Sequence, residues 1–189
     1  MSISQIVRTL LEPWGEVRPQ SVEEWAGEEA LPNTVRDFYR EVGPVDLDID
    51  CGGNPVNIPA LERLWELQAQ YRWHGRTGER LTDWKDEWFV VAQAGGDPFI
   101  LDVVTGQLFS ARHGFPEWSP VLFADDLVTG IGCIATVGNA LSALGEDAYD
   151  ETLELLPSSR ETVTNALAEF LGRDRGKAIA ALRAWKWHE

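Results

Sequence analysis

The spacing of apolar residues along the chain predicts helices at both ends of the protein. Ile3, Val7 and Leu10 recur at helical spacing, so the chain opens with a short amphipathic helix that ends at Pro13. Ser158, followed three residues later by Glu161, has the spacing of a capping box and predicts another helix start. The predicted helices cover residues 3–11, 32–42, 59–71, 122–144, 159–171 and 174–185.

Alternating and β-branched apolar residues predict an antiparallel sheet between these helices. The run from Val45 to Ile49 alternates strictly, which places Val45, Leu47 and Ile49 on the inner face of a strand. Glycine-containing turns separate three later strands, so these should form a meander. The predicted strands are residues 45–49, 88–92, 99–103 and 108–110, with a further short strand expected at residues 56–58.

These elements indicate an α+β fold in which an antiparallel meander packs against helices. Residues 1–144 are interpreted as the α+β domain, and residues 145–189 as a C-terminal helical extension packed on it. No uninterrupted apolar run reaches the roughly 20 residues that a membrane-spanning helix needs. The first residues also lack a secretory signal, so a cytoplasmic location is expected.

The net charge changes this picture most. The chain carries 31 acidic and 16 basic residues, a net charge of −15. Residues 173–189 hold five basic and two acidic residues, so this tail is +3 and the remainder is −18. Such a surface repels phosphates, which argues against binding nucleic acid, and it accelerates encounter with basic proteins. Solubility is the alternative explanation for the charge.

Three aspartates form the candidate partner-binding site. Asp46, Asp48 and Asp50 should share the outer face of the strand at residues 45–49 and meet a cationic partner surface. The alternative is that their charge only protects an exposed sheet edge from aggregation. Their spacing resembles the start of an EF-hand loop, but the glycine comes one position late, at Gly52, and Asn57 replaces the final glutamate.

Histidines and cysteines are few and carboxylates are too abundant to single out a catalytic pair, so no catalytic, metal or cofactor site is predicted. His74, His113 and His188 have no partner at metal-ligand spacing, and Cys51 and Cys133 are interpreted as free thiols. A glycine motif at residues 130–135 matches the loose dinucleotide fingerprint without the preceding strand, so close helix packing explains it better. The nine tryptophans are expected to be core or half-buried, with a surface aromatic strip as the alternative.

Three blocks of the chain, in the same order, resemble the Smi/Knr family of the SUKH superfamily. Residues 31–39 (LPNTVRDFY) are similar to its first conserved helix. Residues 95–102 (GGDPFILD) and 105–109 (TGQLF) resemble its hairpins. Trp118 and residues 123–127 resemble its step from the sheet into a helix. The resemblance covers residues 31–144. The sequence differs from the family pattern at Val42-Gly43-Pro44, where many members have two glycines, and the tail from Gly145 onward lies outside the resemblance.

The resemblance implies an α+β domain that acts by binding proteins, with no catalytic residues and no cofactor. Many bacterial members of the family are immunity proteins that neutralise toxins, often nucleases, of polymorphic toxin systems. The expected function is therefore an acidic immunity protein that binds a basic toxin domain. A regulatory or adaptor protein without a toxin partner is the alternative, and an enzyme that uses acidic residues is a weaker one. The sequence does not predict an oligomeric state.

Overall fold

The computed structural model describes residues 1–115 and 117–185, which form six α-helices and six β-strands. The helices are α1 (Ile3–Leu11), α2 (Asn33–Glu41), α3 (Leu64–Arg72), α4 (Leu127–Leu144), α5 (Pro157–Phe170) and α6 (Arg175–Leu182). The strands are β1 (Leu47–Ile49), β2 (Val56–Ile58), β3 (Trp88–Ala94), β4 (Asp97–Asp102), β5 (Leu108–Ser110) and β6 (Val121–Ala124).

The six strands form one antiparallel sheet in the order β1-β2-β3-β4-β5-β6, so each strand pairs with its neighbours along the chain. This arrangement confirms the predicted α+β fold with a meander packed against helices. The prediction of one helix over residues 122–144 was wrong at its start. Val121–Ala124 is the last strand, because the Asp126 carboxylate caps α4 by accepting a hydrogen bond from the Thr129 amide at 2.8 Å.

Helix α4 is the central helix of the protein and packs against α1 and α5. It runs unbroken through Gly130 and Gly132, where an added methyl group would clash with Leu108 and Phe170 respectively. The glycine motif therefore serves close packing, as the sequence indicated. The stretch Leu127–Ala148 is long and apolar enough to cross a membrane: an 18-residue part of it has a mean hydropathy of 1.7, but 61% of that part is buried inside the protein. Such burial is typical of the core helix of a soluble protein.

The C-terminal helices continue the same core. Helix α5 packs on α4, and α6 packs on α5 and β6. The predicted capping box is absent, because α5 begins at Pro157, one residue before Ser158 and two before the predicted start, and has no side-chain cap. The predicted inner face of α6 is partly wrong, since Leu182 is fully buried while Ile179 is 36% exposed.

Helix α3 covers the part of β3 that β2 does not reach. β2 pairs only with the end of β3, at Gln93 and Ala94. The Gln68 side chain of α3 takes the place of a strand. It donates a hydrogen bond to the Val90 carbonyl at 2.6 Å and accepts one from the Val90 amide at 2.9 Å. This contact holds α3, which carries some of the acidic and aromatic residues described below, against β3.

Candidate protein-interaction surface

Asp46 does not stand with the other two aspartates on a strand. Its φ of 49° lies in the left-handed region, so β1 is shorter than predicted and contains only Leu47–Ile49. The Asp46 carboxylate accepts a hydrogen bond from the Ala60 amide at 3.0 Å and lies 3.3 Å from the Arg63 guanidinium. Val45, expected to face the core, is only partly buried. The prediction that all three aspartates project together is therefore wrong for Asp46.

Asp48 and Asp50 match the expected alternation. Leu47 and Ile49 are buried in the core, and the two aspartates flanking Ile49 are exposed at the edge of the sheet. The Asp48 carboxylate accepts a hydrogen bond from the Asn57 side chain at 3.1 Å, and the Asp50 carboxylate accepts one from the Gly52 amide at 2.9 Å. Neither contact is an ion pair, so both carboxylates are accessible and have no basic partner among the described residues.

A second acidic segment adjoins the end of β1. The turn between α4 and α5 contains five carboxylates and no basic residue: Glu146, Asp147, Asp150, Glu151 and Glu154. Burial raises the pKa of Tyr149 in this turn, and the nearby negative charge of Asp50 raises it further. The Asp50 backbone also packs against α4 at Gly138, close to the end of the helix from which the turn begins, so the turn and the end of β1 are neighbours. The Asp150 carboxylate accepts hydrogen bonds from the Thr152 hydroxyl and from the Glu154 amide. These bonds lower the pKa of Asp150 and hold the turn in its conformation.

The acidic surface continues at the start of α3, where Asp46 contacts Arg63. Glu62 and Glu66 are exposed on either side of Arg63, and the Glu66 carboxylate lies 3.8 Å from its guanidinium. A hydrogen bond to Glu24, 2.8 Å away, raises the pKa of Arg18, and the charge of Glu62 adds to that effect. We use the term acidic face for the surface formed by Asp46, Asp48, Asp50, Glu62, Glu66 and the five carboxylates of the α4–α5 turn.

Three tryptophans lie beside the α3 end of this face. Trp25, Trp65 and Trp73 are each partly exposed, and neighbouring rings meet edge to face. The other tryptophans within the described residues are buried or partly buried, as the sequence indicated. Arg72, the last residue of α3 before Trp73, is 3% exposed, and its guanidinium contacts the Glu29 carboxylate at 2.8 Å. Burial lowers the pKa of Arg72, and the Glu29 charge opposes that change.

Among the described residues, the cysteines are buried and the two histidines, His74 and His113, are exposed. Both cysteines are free and buried; burial raises the pKa of the Cys133 thiol to about 12 and that of Cys51 further. The His113 ring contacts the Asp97 carboxylate at 2.7 Å in an exposed loop, and His188 lies outside the described residues. Within residues 1–115 and 117–185, no three His, Cys, Asp or Glu side chains are placed to share a metal ion.

A groove of about 840 Å³ lies toward the β6 edge of the sheet, between β4–β6 and the end of α6. Phe99, Val121 and Ala184 contribute to its apolar lining, while Asp97 and Arg183 contribute charge. The predicted site residues do not line it.

Comparison with known proteins gives no match: no protein-family model, no curated protein and no solved structure is similar to this chain. The class of the protein is therefore defined by its own features, an α+β meander fold with an acidic face at the β1 edge of the sheet. Its function has to be inferred from the charges and contacts of that face.

Proposed function

We propose that this protein is a non-catalytic binding protein that neutralises a basic toxin, as an immunity protein of a bacterial polymorphic toxin system. The resemblance of residues 31–144 to the Smi/Knr family supports this proposal, and so does the acidic face. The partner is a basic protein, such as a nuclease domain, and neither nucleic acid nor a membrane is a ligand. No cofactor takes part. The protein acts in the cytoplasm, where its two free thiols stay reduced.

One observation carries the proposal, namely that most carboxylates of the acidic face have no ion-pair partner among the described residues. Only Asp46 and Glu66 contact a basic side chain, in both cases Arg63. The others are Asp48, Asp50, Glu62, Glu146, Asp147, Asp150, Glu151 and Glu154. No ion pair within the described residues offsets the charge of these carboxylates. They therefore steer a basic protein toward this face and favour its correct orientation.

The proposal is tested by growth and by association kinetics. The gene beside this one should encode a basic toxin, and co-expression of this protein should restore the growth of cells that produce that toxin. With both proteins purified, the double variant Asp48→Asn/Asp50→Asn should associate about threefold more slowly at low salt than the native protein. It should also show a weaker dependence on ionic strength. Asparagine can still accept the hydrogen bond from Gly52, so the fold is expected to persist.

The matched control is Asp83→Asn/Glu117→Gln, which removes the same charge from two exposed carboxylates that lie outside the acidic face and form no ion pair within the described residues. It should associate at nearly the native rate. Equal rates for both double variants would show that β1 lies outside the interface. Failure of co-expression to restore growth would refute the immunity function. A non-toxic partner bound through the same face would instead indicate a regulatory or adaptor protein.

A further inference from the structure

We propose that Trp25, Trp65 and Trp73 form an anchor site for an arginine side chain of the protein partner. This inference rests on the proposed function, because it specifies how a basic partner is held once charge has attracted it. We call these three residues the tryptophan strip. Tryptophan and arginine are the residue types most enriched among the few interface residues that dominate binding energy.

The tryptophan strip has exposed ring surface and N–H donors that other residues of the described chain do not use. The ring centroids of Trp25 and Trp65 lie 5.8 Å apart at an interplanar angle of 86°, and those of Trp65 and Trp73 lie 5.7 Å apart at 65°. The Trp25 indole donates a hydrogen bond to the Glu29 carbonyl at 2.9 Å. The indole N–H groups of Trp65 and Trp73 donate to no other group in the described part of the chain. Two donors and three partly exposed rings are therefore available to a ligand.

The strip is also held in place before any partner arrives. Trp65 lies on α3 and Trp73 directly follows it, with the small Ala69 one turn from each, which allows the two rings to meet. Trp25 packs on Phe89 of β3 at 6.0 Å, and the chain folds back over its ring at Gly27, where a side chain would clash with the indole. Rings fixed in this way lose little conformational entropy on binding.

The charges around the strip favour a cation. Glu23, Glu28 and Glu62 are exposed, and none of them has an ion-pair partner among the described residues. Four arginines close to the strip in sequence or contact already have carboxylate partners: Arg72 contacts Glu29, Arg18 contacts Glu24, Arg63 contacts Asp46, and Arg80 contacts Asp86. The exposed Arg76 follows Trp73, so the cation is expected at the Trp25–Trp65 end of the strip.

Arginine fits this combination better than lysine does. A planar guanidinium can stack on an indole face while its N–H groups reach a carboxylate, and it is more weakly hydrated than an ammonium group. Glu28 and Glu62 supply carboxylates on the two segments that carry the rings, the loop that contains Trp25 and the start of α3. The strip is thus suited to an exposed arginine on a loop of the partner.

The test compares peptides that differ only in the cation. Fluorescein-labelled (Gly-Arg)₅ and (Gly-Lys)₅ carry equal charge, so the acidic face attracts both. The arginine peptide should bind the native protein about fivefold more tightly, as expected for cation–π contacts at partly exposed rings. Trp65→Leu should abolish this preference. Trp118→Leu makes the same change in a separate aromatic cluster and should retain it.

A second measurement does not depend on the folding of a variant. In the ¹⁵N-labelled native protein, the arginine peptide should shift the indole N–H resonance of Trp65 more than that of any tryptophan outside the strip. Equal binding of both peptides without a shift at Trp65 would refute the anchor site and leave the basic-partner proposal intact. Failure of both peptides to bind would count against the basic partner itself. Binding of cellohexaose at Trp65 would identify the strip as a carbohydrate site and overturn the inference.

Discussion

At the scale of single residues, the chain uses polar side chains to complete backbone hydrogen bonds that no strand or helix supplies. Gln68 does so for Val90 on β3, and Asp46 does so for the Ala60 amide ahead of α3. Neither role could be predicted from the sequence. Periodicity reports which face a residue occupies, but not which distant backbone group needs a partner. The assignment of Asp46 to a strand failed for this reason, whereas Asp48 and Asp50 followed the alternation.

Gln68 provides the residue-scale prediction. Gln68→Leu should lower the free energy of unfolding by about 2–4 kcal/mol, because the buried amide and carbonyl of Val90 would both lose their side-chain partner. The measurement is urea unfolding at neutral pH. Gln70→Leu changes an exposed residue of the same helix and should alter stability by about 0.5 kcal/mol or less. Similar losses for the two variants would mean that the Gln68 contact contributes nothing specific.

At the scale of elements, the strands that could be predicted best were those bounded by glycine turns. β3, β4 and β5 are apolar runs separated by such turns and were predicted nearly to their ends. β6 has no such boundary, since Val121–Ala124 is a short apolar run that leads into an apolar helix. Its strand character comes from pairing with β5, which is a tertiary contact. Similarly, Pro157 starts α5 one residue before the serine that the capping-box pattern selected.

Helix α6 provides the element-scale prediction, because it contains two large aliphatic residues in opposite environments. Leu182 is fully buried and Ile179 is 36% exposed. Leu182→Ala should therefore lower the free energy of unfolding by about 2–5 kcal/mol, while Ile179→Ala should cost about 1 kcal/mol or less. Thermal and urea unfolding of the two variants give the comparison. If Leu182→Ala were as mild as Ile179→Ala, α6 would not be packed on the body of the protein in solution.

At the scale of the whole molecule, packing of the core stabilises the fold, while repulsion among the surface charges destabilises it. One hydrophobic core runs from α1 through the sheet and α4 to α6, and it holds together a surface of net charge −15. The ion pairs of the tail offset little of this charge. Arg175 contacts Glu161 at 2.7 Å and Lys177 contacts Asp125, but exposed pairs of this kind are individually weak. Composition alone predicted that the surface charge is negative. That this charge is concentrated at the β1 edge and the α4–α5 turn could be seen only from the fold.

Self-repulsion of this surface leads to a prediction about salt. Raising NaCl from roughly 10 mM to roughly 500 mM shortens the screening length several-fold, so the folded protein should gain about 1 kcal/mol, or about 2–4 °C in Tm. The matched variant Glu146→Gln/Asp147→Asn/Glu151→Gln/Glu154→Gln removes four charges from the α4–α5 turn and spares Asp150, whose carboxylate organises that turn. It should melt at a higher temperature than the native protein in low salt and should gain less from added NaCl. A native Tm that fell with salt would show that attraction within the surface ion pairs outweighs the repulsion. In that case repulsion within the acidic face would not destabilise the folded protein, and neutralisation of that face by a basic partner would not raise its stability.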